Sequence, residues 1–157
     1  MEVRIERADL RSEDARVLIE ALNAELTERY PEPGANHFRL DADEVTDGRG
    51  AFLVATSDGV VAGCGAIRRL NATEAEIKRM YVVPAMRGQG VGGSIVAALE
   101  DVAVGLGVTR LVLETGERQP EAIALYSRVG FAIVPAFGEY VGSAFSVCMA
   151  KELAIKP

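Results

Sequence analysis

Between residues 76 and 93 the chain reads Glu-Ile-Lys-Arg-Met-Tyr-Val-Val-Pro-Ala-Met-Arg-Gly-Gln-Gly-Val-Gly-Gly, and no other stretch restricts the fold as much. It is a strand that ends in a basic, glycine-dense turn and then enters a helix running to about Leu106. Gly88, Gly90, Gly92 and Gly93 let main-chain amides converge on one spot, because no Cβ blocks a close approach. The first turn of the helix adds unpaired N–H groups and the positive end of its dipole. Arg87 brings a guanidinium suited to forked contact with phosphate oxygens. The segment is read as an anion site, and specifically as a pyrophosphate site.

The rest of the chain gives this unit its setting. Val3 to Arg7 alternates as a short first strand. Ser12 offers an N-cap followed by Glu13 and Asp14, and Val17, Leu18, Ala21, Leu22 and Leu26 recur at helical spacing to about Tyr30. Pro31-Glu-Pro-Gly34 stops that helix, and the polar stretch to Gly50 holds at most a short helix near 41–46. Residues 51–55 and 60–67 form a hairpin through Asp58-Gly59. A third strand of this meander covers about Glu74 to Val83. Strict alternation puts Glu76, Lys78, Met80 and Val82 on one face and Ile77, Arg79, Tyr81 and Val83 on the other. After the glycine turn and its helix (apolar face Ile95, Leu99, Val102, Leu106), Thr109 to Leu113 reads as a buried strand parallel to a neighbour. Pro120 and Gly130 bracket a last helix. Strands follow at 131–134 and 143–150, the latter with Phe145, Val147 and Met149 on one face. The expectation is one α/β (mixed α+β) domain over residues 1–157, with about seven strands, antiparallel first and parallel at the crossover, and about four helices.

Composition narrows the function classes. A chain of 157 residues with 49% hydrophobic and 25% charged residues is an ordinary globular protein. No apolar run approaches the ~20 residues of a membrane span, and the N-terminus lacks the apolar core of a signal peptide, so a cytoplasmic location with no membrane partner is expected. Net charge of −6 argues against a nucleic-acid partner and mildly favours a cationic acceptor. Cys64 and Cys148 lie in apolar runs and read as reduced core residues. Two cysteines and the single histidine, His37, cannot make a standard structural zinc site, so no metal is expected.

Two nucleotide-binding patterns overlap at the turn. Gly88-x-Gly90-x-x-Gly93 matches the dinucleotide fingerprint, with Glu114 at about the ~20-residue spacing of its acidic partner. Yet Pro84 to Arg87 intervenes between strand and glycines, and the unit follows an antiparallel hairpin and does not open the fold. Arg87-x-x-Gly90-x-Gly92 after a mixed strand instead resembles the phosphate-binding motif of the GNAT superfamily, the acyl-CoA-dependent N-acyltransferases. Ala122-Ile-Ala-Leu-Tyr126-Ser-Arg-Val-Gly130-Phe131 is similar to that family's second cofactor-side motif. The resemblance covers about residues 50–150. Gln119 departs from it, standing where many relatives place an asparagine that bonds the cofactor.

This resemblance implies an N-acetyltransferase that moves an acetyl group from acetyl-CoA to a primary amine by direct attack in a ternary complex. Arg87, Gly88, Gln89, Gly90, Val91, Gly92, Gly93 and Ser94 would hold the pyrophosphate. Met80, Tyr81 and Val82 would lie along the thioester and pantetheine, with the Met80 N–H as oxyanion donor and the sheet splayed to admit the arm. Gln119 would complete the cofactor contacts. Tyr126 would protonate the leaving thiolate, because a phenol of pKa near ~10 suits that task. Glu76, eleven residues before Arg87, stands where several members carry a basic carboxylate; its other reading is a carboxylate paired with Lys78, Arg68 or Arg69. His37, in the 31–50 segment that would border the acceptor cleft, reads first as a solvated loop histidine; it, Glu139 and Tyr140 are secondary candidates to face the acceptor, a small-molecule or peptide amine, in a monomer or homodimer. A non-catalytic acyl-CoA sensor and a dinucleotide oxidoreductase are the other readings of the same nest.

Overall fold

In the computed structural model, which describes residues 2–153, the local signals act where they occur. The Ser12 side chain accepts from the Ala15 N–H at 3.3 Å and starts α1 (Glu13–Arg29). At the hairpin turn Asp58 and Gly59 have φ of 51° and 82°, the left-handed pair that a tight two-residue connection requires. It joins β2 (Gly50–Ser57) to β3 (Val60–Arg69). The sheet is completed by β1 (Val3–Arg7), β4 (Glu74–Val82), β5 (Arg110–Gly116), β6 (Ala132–Val134) and β7 (Ser146–Glu152). Its order is β1-β2-β3-β4-β5-β7-β6, antiparallel throughout except where β4 runs parallel to β5. The last strand therefore inserts between β5 and β6, starting later than expected and leaving Phe145 outside it.

The described residues hold three α-helices: α1, α2 (Val91–Gly105) and α3 (Pro120–Arg128). The fourth expected helix is a single 3-10 turn, Ala42–Val45. Four residues give too few hydrogen bonds to sustain a helix alone, and Glu44 is tied both to the Asp41 N–H (2.9 Å) and to Arg68 (2.6 Å).

Each face of the sheet has its own core. Ala15, Leu18 and Leu22 of α1 pack on Phe52, Val54, Cys64, Ala66 and Tyr81. On the other face Val91, Ile95, Val96 and Leu99 of α2, with Tyr126 of α3, cover Leu53, Ile67, Ile77, Leu111 and Met149. Both cysteines are free and buried, and burial pushes the Cys64 thiol up to about 12.

Strict alternation fails in the middle of β4. Ile77 shares the α2 face with Met80 and Val82, while Tyr81 lies on the α1 face. The cause is a bulge: Cys64 pairs with Tyr81 and Ala66 with Lys78, so β4 carries one residue more than β3. Arg79 takes up the extra length at φ 58°. Gly65 makes room opposite, since a Cβ there would come within 2.6 Å of Met80 Sδ and 2.8 Å of Ile95 Cγ2. The bulge turns Met80 and Val82 away from the side on which Glu76 and Lys78 sit.

Candidate active site

The β4–β5 ladder runs only from Glu74↔Arg110 to Ile77↔Leu113, although both strands continue beyond it. The strands part there, and a cavity of about 90 Å³ occupies the gap. Leu22 and Leu26 of α1 line it together with Ala122 and Tyr126 of α3. Since these helices lie on opposite faces of the sheet, the cavity passes through it. Val83 N–H bonds the Ala62 carbonyl at 2.8 Å, so alternation aims the Val82 main chain away from β3 and into the gap.

The glycine turn follows the C-terminal end of β4, at the edge where the strands separate. Gly88 and Gly90 have φ of 79° and 85°, so successive amides turn toward one side. Among the described residues no carbonyl or side chain accepts from the N–H groups of residues 88–93; the first bond of the run is Ser94 N–H to Gly90 O, at 3.1 Å. The Ser94 hydroxyl donates to that same carbonyl, also at 3.1 Å. Gly92 packs against α3, where a Cβ would come within 2.9 Å of Leu125 Cδ2. The Arg87 side chain does not join this cluster as expected. Its Nε donates to Val82 O at 2.9 Å, its Nη2 pairs with Glu25 of α1 at 2.8 Å, and it lies over the Tyr81 ring. Arg87 and Tyr81 thus brace the turn against α1, and the groups the turn leaves without partners are main-chain N–H groups.

Tyr126 and Gln119 line the cavity with Met80. Tyr126 is buried and edge-on to Phe131 at 5.8 Å; burial, then the neighbouring Glu114 charge, holds its phenol well above the ordinary value. It keeps its proton across the physiological range. Gln119 is the N-cap residue of α3, and its own N–H bonds Gly116 O at 2.9 Å.

Glu76 is 1% exposed, and both of its oxygens are engaged. Oε1 accepts from Arg68 Nε (3.0 Å) and Nη2 (2.8 Å), while Oε2 accepts from the Tyr140 hydroxyl (2.5 Å). Arg68 is its cross-strand neighbour, one of the partners expected. Tyr140 in turn stands edge-on to His37 at 5.0 Å, and His37 Nδ1 lies 3.2 Å from Glu139. The 31–50 segment and the 135–143 loop therefore meet over the cavity.

Three cavity residues escaped notice as site groups. Glu114 sits on β5 where the ladder ends and accepts from the Ser146 hydroxyl at 2.6 Å. Burial raises its carboxyl above the usual range, against the lowering effects of Ser146 and His37. A polar residue closing the apolar run Leu111-Val-Leu113 at a strand's C-terminal end was the available signal. Lys78 is buried with no hydrogen-bonding partner for Nζ among the described residues. Arg79, displaced by the bulge, bonds Asn23 and lies over the Phe38 ring. No group of three or more His, Cys, Asp or Glu able to hold a metal occurs among the described residues, and no described helix is long and apolar enough to cross a membrane.

With this geometry in hand, the likeness to known proteins can be placed. The sequence model of the acetyltransferase (GNAT) family matches residues 15–131. An "IAA acetyltransferase" of Azospirillum brasilense is 41% identical over 137 residues, 87% of this chain and 88% of its own. A solved acyl-CoA N-acyltransferase from Klebsiella pneumoniae superposes with a TM-score of 0.83 at 34% identity, covering 97% of this chain and 98% of that one. An N-acetyltransferase from Thermoplasma acidophilum, solved in complex with coenzyme A, shares the fold at a TM-score of 0.71 and 17% identity, over 97% and 99% of the two chains.

Proposed function

The chain belongs to the acetyltransferase (GNAT) family and is an enzyme of acetyl transfer from acetyl-CoA, and on that premise we propose that it acetylates a primary amine by direct attack within a ternary complex. The observation that carries the proposal is the coincidence of two features at one sheet edge. A run of main-chain N–H groups without acceptors, from residue 88 to residue 93, stands beside the gap where β4 leaves β5.

The pyrophosphate rests on those amides, and the thioester arm enters the gap along Met80 and Val82. The Met80 N–H, directed by the bulge, polarises the thioester carbonyl and carries the charge of the tetrahedral intermediate. Such a donor is typically worth ~10²–10³ in rate. Nitrogen bonds the acetyl carbon to form that intermediate, the carbon–sulfur bond then breaks as it collapses, and Tyr126 gives its proton to the departing thiolate.

The amine must lose a proton. Glu76 is poorly placed to take it, because Arg68 and Tyr140 already occupy both oxygens. Its part is to position Tyr140 and Arg68. Glu114 stands in the gap with a raised pKa, closer to neutrality and so better matched to a base. A cytoplasmic location and a single domain over residues 1–157 belong to the same reading.

The test is release of coenzyme A at fixed acetyl-CoA across amines, including amino acids, polyamines, peptides and aminoglycosides. Amine-dependent release supports the proposal. Binding of acetyl-CoA with no release by any amine would leave a sensor of acyl-CoA instead.

A further inference from the structure

The charge around the acceptor side of the cavity runs opposite to that of the whole protein. The chain is acidic overall, yet two buried cations line the gap without a carboxylate in contact. Lys78 is 6% exposed and its ammonium finds no hydrogen-bonding partner among the described residues. Arg79 is 7% exposed and bonds only the neutral Asn23 amide. His37 Nε2, on the same wall, is likewise buried without a partner. Anions do stand nearby, but they are committed: Glu76 to Arg68 and Tyr140, and Glu139 to His37. Among the described residues, Glu114, held by a neutral hydroxyl, is the one carboxyl group that lines the gap.

A buried ammonium with no partner is costly, and an anionic group of a ligand that reached Lys78 would relieve that cost. Burial indeed weakens the proton affinity of Lys78, with Glu76 and Glu139 only partly restoring it. Polyamines and aminoglycosides would add further positive charge to this wall. A molecule with one amine and one carboxylate a few bonds apart fits it, the amine toward Glu114 and Met80 and the carboxylate toward Lys78.

We propose that the acceptor is a small amino acid, or a close analogue, whose carboxylate is bound by the Lys78 ammonium on the α1 face of the sheet gap. The inference rests on the amine-acetyltransferase reading above and names the substrate class of the same site. Lys78 is then the specificity-determining residue. Selection against uncarboxylated amines follows from leaving the ammonium unpaired when they bind.

Matched pairs decide the matter: each proteinogenic amino acid against its own carboxamide as acceptor, and the corresponding N-acetyl compounds titrated calorimetrically into protein loaded with coenzyme A. In at least one pair the carboxylate member should be preferred by roughly ten- to a hundred-fold, the worth of a hydrogen bond between charged groups. Lys78→Met should bring that ratio close to one, and Lys78→Arg should keep part of it. Equal treatment of both members in every pair, a preference for carboxamides, or a preference that survives Lys78→Met overturns the proposal. If no amine of either kind releases coenzyme A, the transfer reading fails. The N-acetyl titrations still judge the pocket in that case, and lack of carboxylate-selective binding there overturns it too.

Discussion

The two halves of the site are built on different principles. The proposed cofactor half centres on one contiguous segment, residues 87–94, whose main-chain N–H groups from 88 to 93 have no acceptor among the described residues. The acceptor half is assembled from side chains of β3, β4, β5, the 31–50 segment and the loop before β7, brought together by sheet order and a bulge. The first can be read locally and resists side-chain mutation. The second exists only in three dimensions, and single substitutions can retune it. A common donor with a variable acceptor is what such a division permits.

The comparison is broken most forcefully on the acceptor side. Glu114→Gln should lower kcat by roughly 10²–10⁴, the usual contribution of a positioned base. It should also abolish the acidic limb of the pH–rate profile. That limb lies above the ordinary glutamate range, because burial raises the Glu114 pKa and activity grows as pH climbs through it. An intact limb in the variant would return the role to another group. Next comes Glu76→Gln, which leaves the half-buried Arg68 with Glu44 as its remaining carboxylate partner; a loss of ~1.5–3 kcal/mol in denaturant unfolding is expected, the worth of a hydrogen bond between charged groups. The acidic limb should survive in that variant, which separates a positioning residue from a base.

On the cofactor side Gly90→Ala is the sharper tool. At φ 85° with open space around it, the penalty is purely one of backbone, about 1–2 kcal/mol. The amide row is disturbed, and calorimetry should find acetyl-CoA binding weakened by about tenfold, a change equal to ~1.4 kcal/mol. The smallest effect has the opposite sign. Lys78→Met should raise the melting temperature by about 2–4 °C, because one buried charge is no longer desolvated. Lys78 has a lowered folded pKa, so this gain is fully present below that value. It fades as pH rises toward the ordinary lysine value, where the unfolded chain also loses its charge.

How much the sequence discloses follows the same divide. The Ser12 cap, the Asp58-Gly59 turn, the Pro120 start and the glycine run are decided by residues within a few positions of one another, and each appears where expected. The bulge at Arg79 is not local. It depends on Gly65, fourteen residues earlier in the neighbouring strand, accepting Met80 above it. Without it, alternation put Met80 and Val82 on the face of Glu76. The insertion of β7 beside β5 is a long-range pairing too, and it brings Ser146 to Glu114. Arg87 was legible as a member of the turn but not in its side-chain contact, since Glu25 lies 62 residues away. Lys78 reads from sequence only as a possible partner of Glu76, because nothing adjacent reveals the 31–50 segment folding over it.

The central claim is that the amides of residues 88–93 grip the coenzyme's pyrophosphate while its arm enters the gap between β4 and β5. An amide-resolved NMR titration with coenzyme A tests this most directly. The account predicts the largest shifts at Gly88, Gly90, Val91, Gly92 and Gly93, followed by Met80, Val82 and Glu114. Saturation with those amides unmoved, and shifts gathered on another surface, would contradict it.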